Sequence, residues 1–278
     1  MAAPAATGWR ARLDASFVAR GPRTVPARRA HEGPLRLQRM LYPEGERVCH
    51  AIVVHPPGGV AGGDALDIAI AAQRGAHVLL TTPGAAKWYR SGGATACQRV
   101  RLDARDSAII EWLPQESIVF DRAQARWTVA ASAAGDAAIV GLDVVMLGRA
   151  ARGERFAHGE IAMQARFARA DRPAFVEQWR LAGDDARLTG PQGLGCAPCF
   201  GTLWALADPA RLGPVLDAVR DALDGDGTAA TLLPTGVLLV RAVGEGPEAV
   251  RRTLERAWSA LRPRLLGVPA SRPRIWST

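Results

Sequence analysis

Apolar and polar positions alternate with a period of two through most of this chain. From Val48 to His55, residues Cys49, Ala51, Val53 and His55 fall on one face, and Val48, His50, Ile52 and Val54 on the other. That is the pattern of a β-strand, whose successive side chains point to opposite sides. Leu66, Ile68 and Ile70 alternate with small or polar residues in the same way. Further strands are predicted over His77–Thr82, Gln98–Leu102, Ala108–Trp112, Arg126–Ser132, Phe156–Phe167, Phe175–Leu181 and Thr235–Val243. Ala138–Leu147 is apolar on both faces, which predicts a strand sandwiched between layers.

Helical spacing appears twice, both times late. Leu212, Val215, Leu216, Val219 and Leu223 form a stripe within Arg211–Leu223, with Asp208-Pro209 ahead of it as cap and first turn. Val250, Leu254, Trp258 and Leu261 form another within Pro247–Leu261, with Pro263 beyond its expected end. The chain shows no tandem repeat, no low-complexity linker and no break in composition. The predicted class is mainly β: stacked sheets in one domain over residues 1–278, with two α-helices in the C-terminal third. A doubly wound βαβ fold does not suit this order.

Composition narrows the functional classes. With 278 residues, 48% of them hydrophobic, the chain can bury a sizeable core. The formal charge is +8, yet Lys87 is the only lysine, and the arginines are scattered without runs or interleaved aromatics. This argues against a nucleic-acid surface and leaves room for an acidic protein partner. The opening MAAPAATGWRARLD has no apolar leader segment, and the longest apolar stretch, Ala137 to Gly148, is too short to span a bilayer and contains Asp143. A cytoplasmic, soluble protein without a membrane span is expected.

Ordinary catalytic motifs find little support. HPPGGVAGGD (His55 to Asp64) has glycines at P-loop spacing, but Asp64 stands where that loop needs a lysine, and no helix follows. It reads better as a tight turn between strands. TTPGAAKWYR (Thr81 to Arg90) places Lys87 beside Trp88 and Tyr89, where its stem is expected to pack on aromatic rings. Cys196-Ala197-Pro198-Cys199 has the spacing of two metal ligands, but Cys49 and Cys97 form no second pair and the five histidines are dispersed.

Three carboxylates attract attention instead. Asp143 interrupts an apolar run, Glu177 shares a strand face with Phe175, Trp179 and Leu181, and Asp64 closes the glycine-rich turn. A buried carboxylate is costly unless it is hydrogen-bonded, paired or wet. Each is either satisfied separately by arginines or amides, or the three mark a polar, water-filled passage.

HPPGGVAGGD, TTPGAAKWYR, EWLPQESIVF (Glu111 to Phe120), LDVVMLGRAARGERFAHG (Leu142 to Gly159) and the terminal PRIWST (Pro273 to Thr278), in this order, resemble the signature segments of the UreD (UreH) family of urease accessory proteins. GWRARLD (Gly8 to Asp14) and GPLRLQRMLYPEG (Gly33 to Gly45) match in character. Together they span the chain from about residue 8 to its last residue. Ala182 to Gly246 matches least, Ala86 stands where relatives usually carry serine or threonine, and the cysteine pair is no family hallmark.

The resemblance implies a non-catalytic protein with β-helix character and two helices. It implies binding to the partner UreF, which recruits the GTPase UreG, and docking of the complex on apo-urease, where nickel is inserted. No cofactor is tightly bound in this reading; nickel is in transit. Asp64, Asp143 and Glu177 match positions proposed to line a tunnel for the metal. Two alternatives are a pure docking adaptor without a conduit and, further off, a small-molecule lyase or hydrolase using Asp64, His55 and Lys87.

Overall fold

Much of the chain winds in coils that return repeatedly to the same two sheets. The computed structural model describes residues 8–225 and 227–277; residues 1–7, whose composition argued against a leader, lie outside the described residues, as do Asp226 and Thr278. The strands of the first half are β1 (Arg10–Arg20), β2 (Arg23–Glu32), β3 (Arg36–Leu37), β4 (Val48–Val54), β5 (Gly59–Val60), β6 (Ala65–Gln73), β7 (His77–Thr81), β8 (Ala86–Trp88) and β9 (Ala96–Ala104). They are followed by β10 (Ile109–Trp112), β11 (Ser117–Val119), β12 (Gln124–Ala133), β13 (Ala138–Leu147), β14 (Glu160–Arg169), β15 (Arg172–Ala182) and β16 (Cys199–Leu206). Helix α1 (Pro209–Asp221), strands β17 (Thr228–Leu233) and β18 (Val237–Gly244), and helix α2 (Pro247–Leu266) complete the order.

The first sheet has seven strands in the order β15-β14-β12-β9-β6-β1-β2, and the second runs β17-β18-β16-β13-β10-β7-β4-β3. The short strands β5, β8 and β11 form a third side, joined to the second sheet where β11 pairs with β13. Each coil passes from second sheet to third side to first sheet and back. Val48 pairs with His77, His77 with Ile109 and Ile109 with Ala138, offsets of 29, 32 and 29 residues. This is the stacked, β-helix-like architecture the chain was expected to have. No sequence repeat accompanies it, because what recurs is the backbone turn, and each coil needs only an apolar side chain at its inward positions.

Two cores result. One fills the interior of the coil with residues such as Leu13, Ile68, Val78, Val100, Ile110, Val129 and Ile139. The other lies between the outer face of the second sheet and the helices, and holds Leu142, Leu203, Val240, Leu254 and Trp258. Strand β13 serves both: Ile139 and Val145 face the interior, and Val140, Leu142 and Val144 face the helices. Its two apolar faces are thereby explained. At roughly 25 cal/mol per Å² of apolar surface removed from water, such double-sided burial makes β13 a central stabilising element.

Several boundaries differ from the alternation. Helix α2 runs through Pro263 to Leu266 rather than stopping near Leu261. Burial of Leu265 and Leu266 in the second core favours the extra turn, and Gly267, at φ 69°, ends it. The strand predicted from Phe156 begins instead at Glu160, after a short 3-10 turn at Ala150–Arg152. The hairpin β1–β2 did not stand out because arginines and other polar residues occupy the outward positions of β1 and β2 is exposed along most of its length, although Ala11, Leu13, Ala15 and Phe17 alternate inward.

Candidate functional site

The three carboxylates singled out by the sequence occupy three different environments. Asp64 follows the glycine turn; its Oδ1 accepts from the Trp9 amide at 2.7 Å and its Oδ2 from the Ala61 amide at 2.8 Å. Both oxygens are satisfied by backbone that the turn itself presents. Gly59 lies close by under the Tyr89 ring, which a Cβ at this position would meet at 2.3 Å.

Asp143 is different. On β13 it shares the inward face with Ile139 and Val145, and its Oδ2 is buried with no hydrogen-bond partner among the described residues. Burial pushes its pKa up to about 6, with a hydrogen bond from Trp204 pulling weakly the other way. One side of Asp143 borders a cavity of about 390 Å³ that is also lined by His55, Lys87, Gln98, Thr128 and Trp127. The other side borders a space of about 10 Å³, which it shares with Glu177, Thr202 and Trp204. A space of that size holds about one water molecule.

Glu177 reaches that small space from β15, where Phe175 and Trp179 also pack toward the interior. Its Oε1 accepts from a guanidinium nitrogen of Arg241 on β18. The fold therefore brings Asp143 and Glu177 to one cavity and leaves Asp64 outside it.

His55 joins the larger cavity with its Nε2 buried and unpartnered among the described residues. Burial lowers its pKa, and the nearby Asp64 charge opposes that shift. Lys87 is exposed at the border of the same cavity, while Trp88 turns into the core, edge-on to Trp127 at 4.9 Å. The cysteine pair separates. Cys199 is buried on β16 with its thiol pushed up to about 12 by burial, and Cys196 is exposed at φ 72°. Among the described residues, no three His, Cys, Asp or Glu side chains converge as a metal-holding group. What the interior offers is scattered oxygen donors with one imidazole.

A family model described as "UreD urease accessory protein" matches residues 9–277. The chain belongs to the UreD family. The protein named urease accessory protein UreD from Azoarcus sp. (strain BH72) is 47% identical over 273 residues, covering 98% of this chain and 95% of that one. Its namesake from Dechloromonas aromatica (strain RCB) is 45% identical over 274 residues, covering 97% and 95%. UreD membership makes this chain an accessory protein with a role in urease maturation rather than a catalyst. No helix among the described residues is long and apolar enough to cross a membrane.

Among the described residues of this UreD chain, the most deeply buried carboxylate is not one of the three that the sequence pattern marks. Glu111, on β10, has no solvent exposure and faces α2, where Trp258 Nε1 donates to it at 2.7 Å and Arg262 at 3.1 Å. Its signal, a lone acid between Ile109-Ile110 and Trp112, was as visible as that of Asp143. Unlike Asp143, it is fully compensated.

Proposed function

We propose that this chain works in urease maturation as a nickel-insertion factor, its interior forming part of the route by which the metal reaches apo-urease. The observation that carries the reading is Asp143: an uncompensated carboxylate oxygen set between a cavity of about 390 Å³ and a water-sized space shared with Glu177. A structural carboxylate would be expected to have its partner, since leaving one unpaired is costly. Nickel is held tightly by clustered imidazole or thiolate and more loosely by carboxylate. A route must admit the ion and release it, and dispersed acids meet that requirement better than a closed His/Cys site.

In this reading UreF and UreG, the latter a GTPase, supply recruitment and energy, and apo-urease receives the metal. Asp143 and Glu177 line the passage, and Asp64 shapes the turn that positions His55 beside it. The test is metal analysis of urease matured with Asp143→Leu or Asp143→Asn chains, with co-purification of the accessory complex as the control. Nickel-poor urease from an intact complex is the expected result. Full nickel content with both variants would remove the passage and leave an adaptor, a reading favoured by the satisfied Asp64 and the Arg241 partner of Glu177.

A further inference from the structure

Asp143, Thr202 and Arg241 lie abreast on β13, β16 and β18: Asp143 is in register with Thr202, and Thr202 with Arg241. Cross-strand partners point to the same side of a sheet, and adjacent strands lie roughly 4.8 Å apart. That side is the coil interior, because the flanking Trp204 on β16 and Leu239 on β18 belong to the interior core. Glu177 meets the row from the opposing sheet.

Two spaces adjoin this row. The water-sized one is bordered by Asp143, Thr202 and Glu177. A surface groove of about 410 Å³ is bordered by Thr202 and Arg241, with Trp179 and Phe200. Arg241 thus stands between the interior acids and the groove, its side chain 49% exposed while that of Glu177 is 26% exposed. It takes the carboxylate that the interior side would otherwise present, and it leaves Asp143, two strands away, without a cation.

We infer that Arg241 is a latch on the outer end of the passage, holding Glu177 until a divalent cation displaces it. The inference rests on the passage proposed above. With the latch closed, a guanidinium positive charge bars cations and only Asp143 is free to receive one. When a divalent ion reaches the small space, Asp143, the Thr202 hydroxyl and Glu177 offer it a set of oxygen donors. An ion of charge +2 competes favourably with one guanidinium for two carboxylates, and Arg241, already half-exposed, swings into the groove, where water solvates it. The energy to be overcome is small, because partly exposed ion pairs contribute little.

The test measures nickel(II) binding by equilibrium dialysis of the full-length chain in its accessory complex, together with nickel content of urease matured by it. Arg241→Ala should bind nickel(II) about fivefold more tightly than wild type, the equivalent of ~1 kcal/mol for an ion pair of this exposure. Arg241→Lys should lie near wild type. The gain should vanish in Arg241→Ala combined with Glu177→Gln, which separates a latch from a general effect on folding. Unchanged affinity in Arg241→Ala, with Asp143→Asn still yielding nickel-poor urease, would overturn the latch and leave the passage standing. Unchanged urease nickel in both variants would overturn the passage itself. Should Arg241→Ala fail to assemble, Arg241→Gln, which keeps most of the side-chain volume, carries the same expectations.

Discussion

Arg262, near the end of α2, and Glu111, on β10, meet at 3.1 Å with neither side chain exposed to solvent. Glu111 also pairs with His77 Nε2 at 2.7 Å, and Arg262 reaches on to Glu44 at 2.9 Å, which in turn contacts His50 at 2.6 Å. The guanidinium lies 5.1 Å from the Trp258 ring. This network fastens the helical layer to the coil across 151 residues of sequence.

Breaking that network from one side should be severe. Arg262→Ala leaves Glu111 and Glu44 without their shared cation, and removal of one partner from a buried ion pair costs about 3–5 kcal/mol. Urea unfolding should show a midpoint lowered to match. A double replacement, Arg262→Met with Glu111→Leu, should lose less than the single change, since the fully buried Glu111 charge goes with its cation and Glu44 keeps its His50 contact. Equal losses in the two would show that the helix is held by apolar packing instead.

Glu111 also sets an acid limit. Burial alone would raise its pKa, but the His77 contact and the Arg262 charge outweigh burial and hold it at about 2, below its ordinary 4.5. A folded-state pKa below the unfolded one adds stability above the unfolded value and withdraws it as pH falls toward the folded one. Stability should therefore decline between about pH 4.5 and 2. Glu111→Gln should start lower at neutral pH and show a shallower decline across that window, as read by denaturant midpoints. A slope identical to wild type would exclude Glu111 as a contributor.

Asp143 predicts the opposite sign. Its carboxyl is pushed up to about 6 from 3.8 by burial, so the folded state disfavours the ionised form. The resulting penalty appears as pH rises from about 4 through 6 and is complete above. Asp143→Asn should consequently be more stable than wild type at pH 7–8, by roughly 1–3 kcal/mol, and the two should converge near pH 4. The same substitution should yield nickel-poor urease. A residue whose neutralisation helps the fold and harms the function is kept for chemistry. If Asp143→Asn were destabilising at pH 8, the carboxylate would be a structural partner after all.

How far these features could be read from the sequence depended on the range of the interaction. Period-two alternation exposed most of the strands because burial on one face is a local signal, and Asp143 stood out as a charge inside a run that faces two cores. The facing of Glu177 followed from its neighbours Phe175 and Trp179 on the same strand. Its partner could not be foreseen: Arg241 lies 64 residues on, in another sheet. Glu111 and Arg262 present the same difficulty, since nothing in EWLPQ or ALRPR announces the other. Asp64 was visible as a special residue, but only the backbone path shows that the Trp9 and Ala61 amides satisfy it.

Gly141 provides a local test of the interior wall next to Asp143. It faces Trp204 across β13 and β16 in register, and a Cβ at this position would lie 2.1 Å from the indole Cζ2. Trp204 is itself buried and packed at 4.2 Å on Phe167 of the opposite sheet, so the ring can give way only by disturbing that contact or entering the water-sized space it borders. Gly141→Ala should cost about 1–3 kcal/mol through overpacking, and it should shift the indole away from the Asp143 carboxyl. Tryptophan fluorescence and the urea midpoint should change together. Because the Trp204 hydrogen bond favours the ionised carboxylate, its loss should raise the Asp143 pKa further. Pairing Gly141→Ala with Trp204→Phe should recover part of the lost stability by removing atoms from the point of collision. No recovery in the pair would mean that the strain falls on the β13 backbone rather than on the ring.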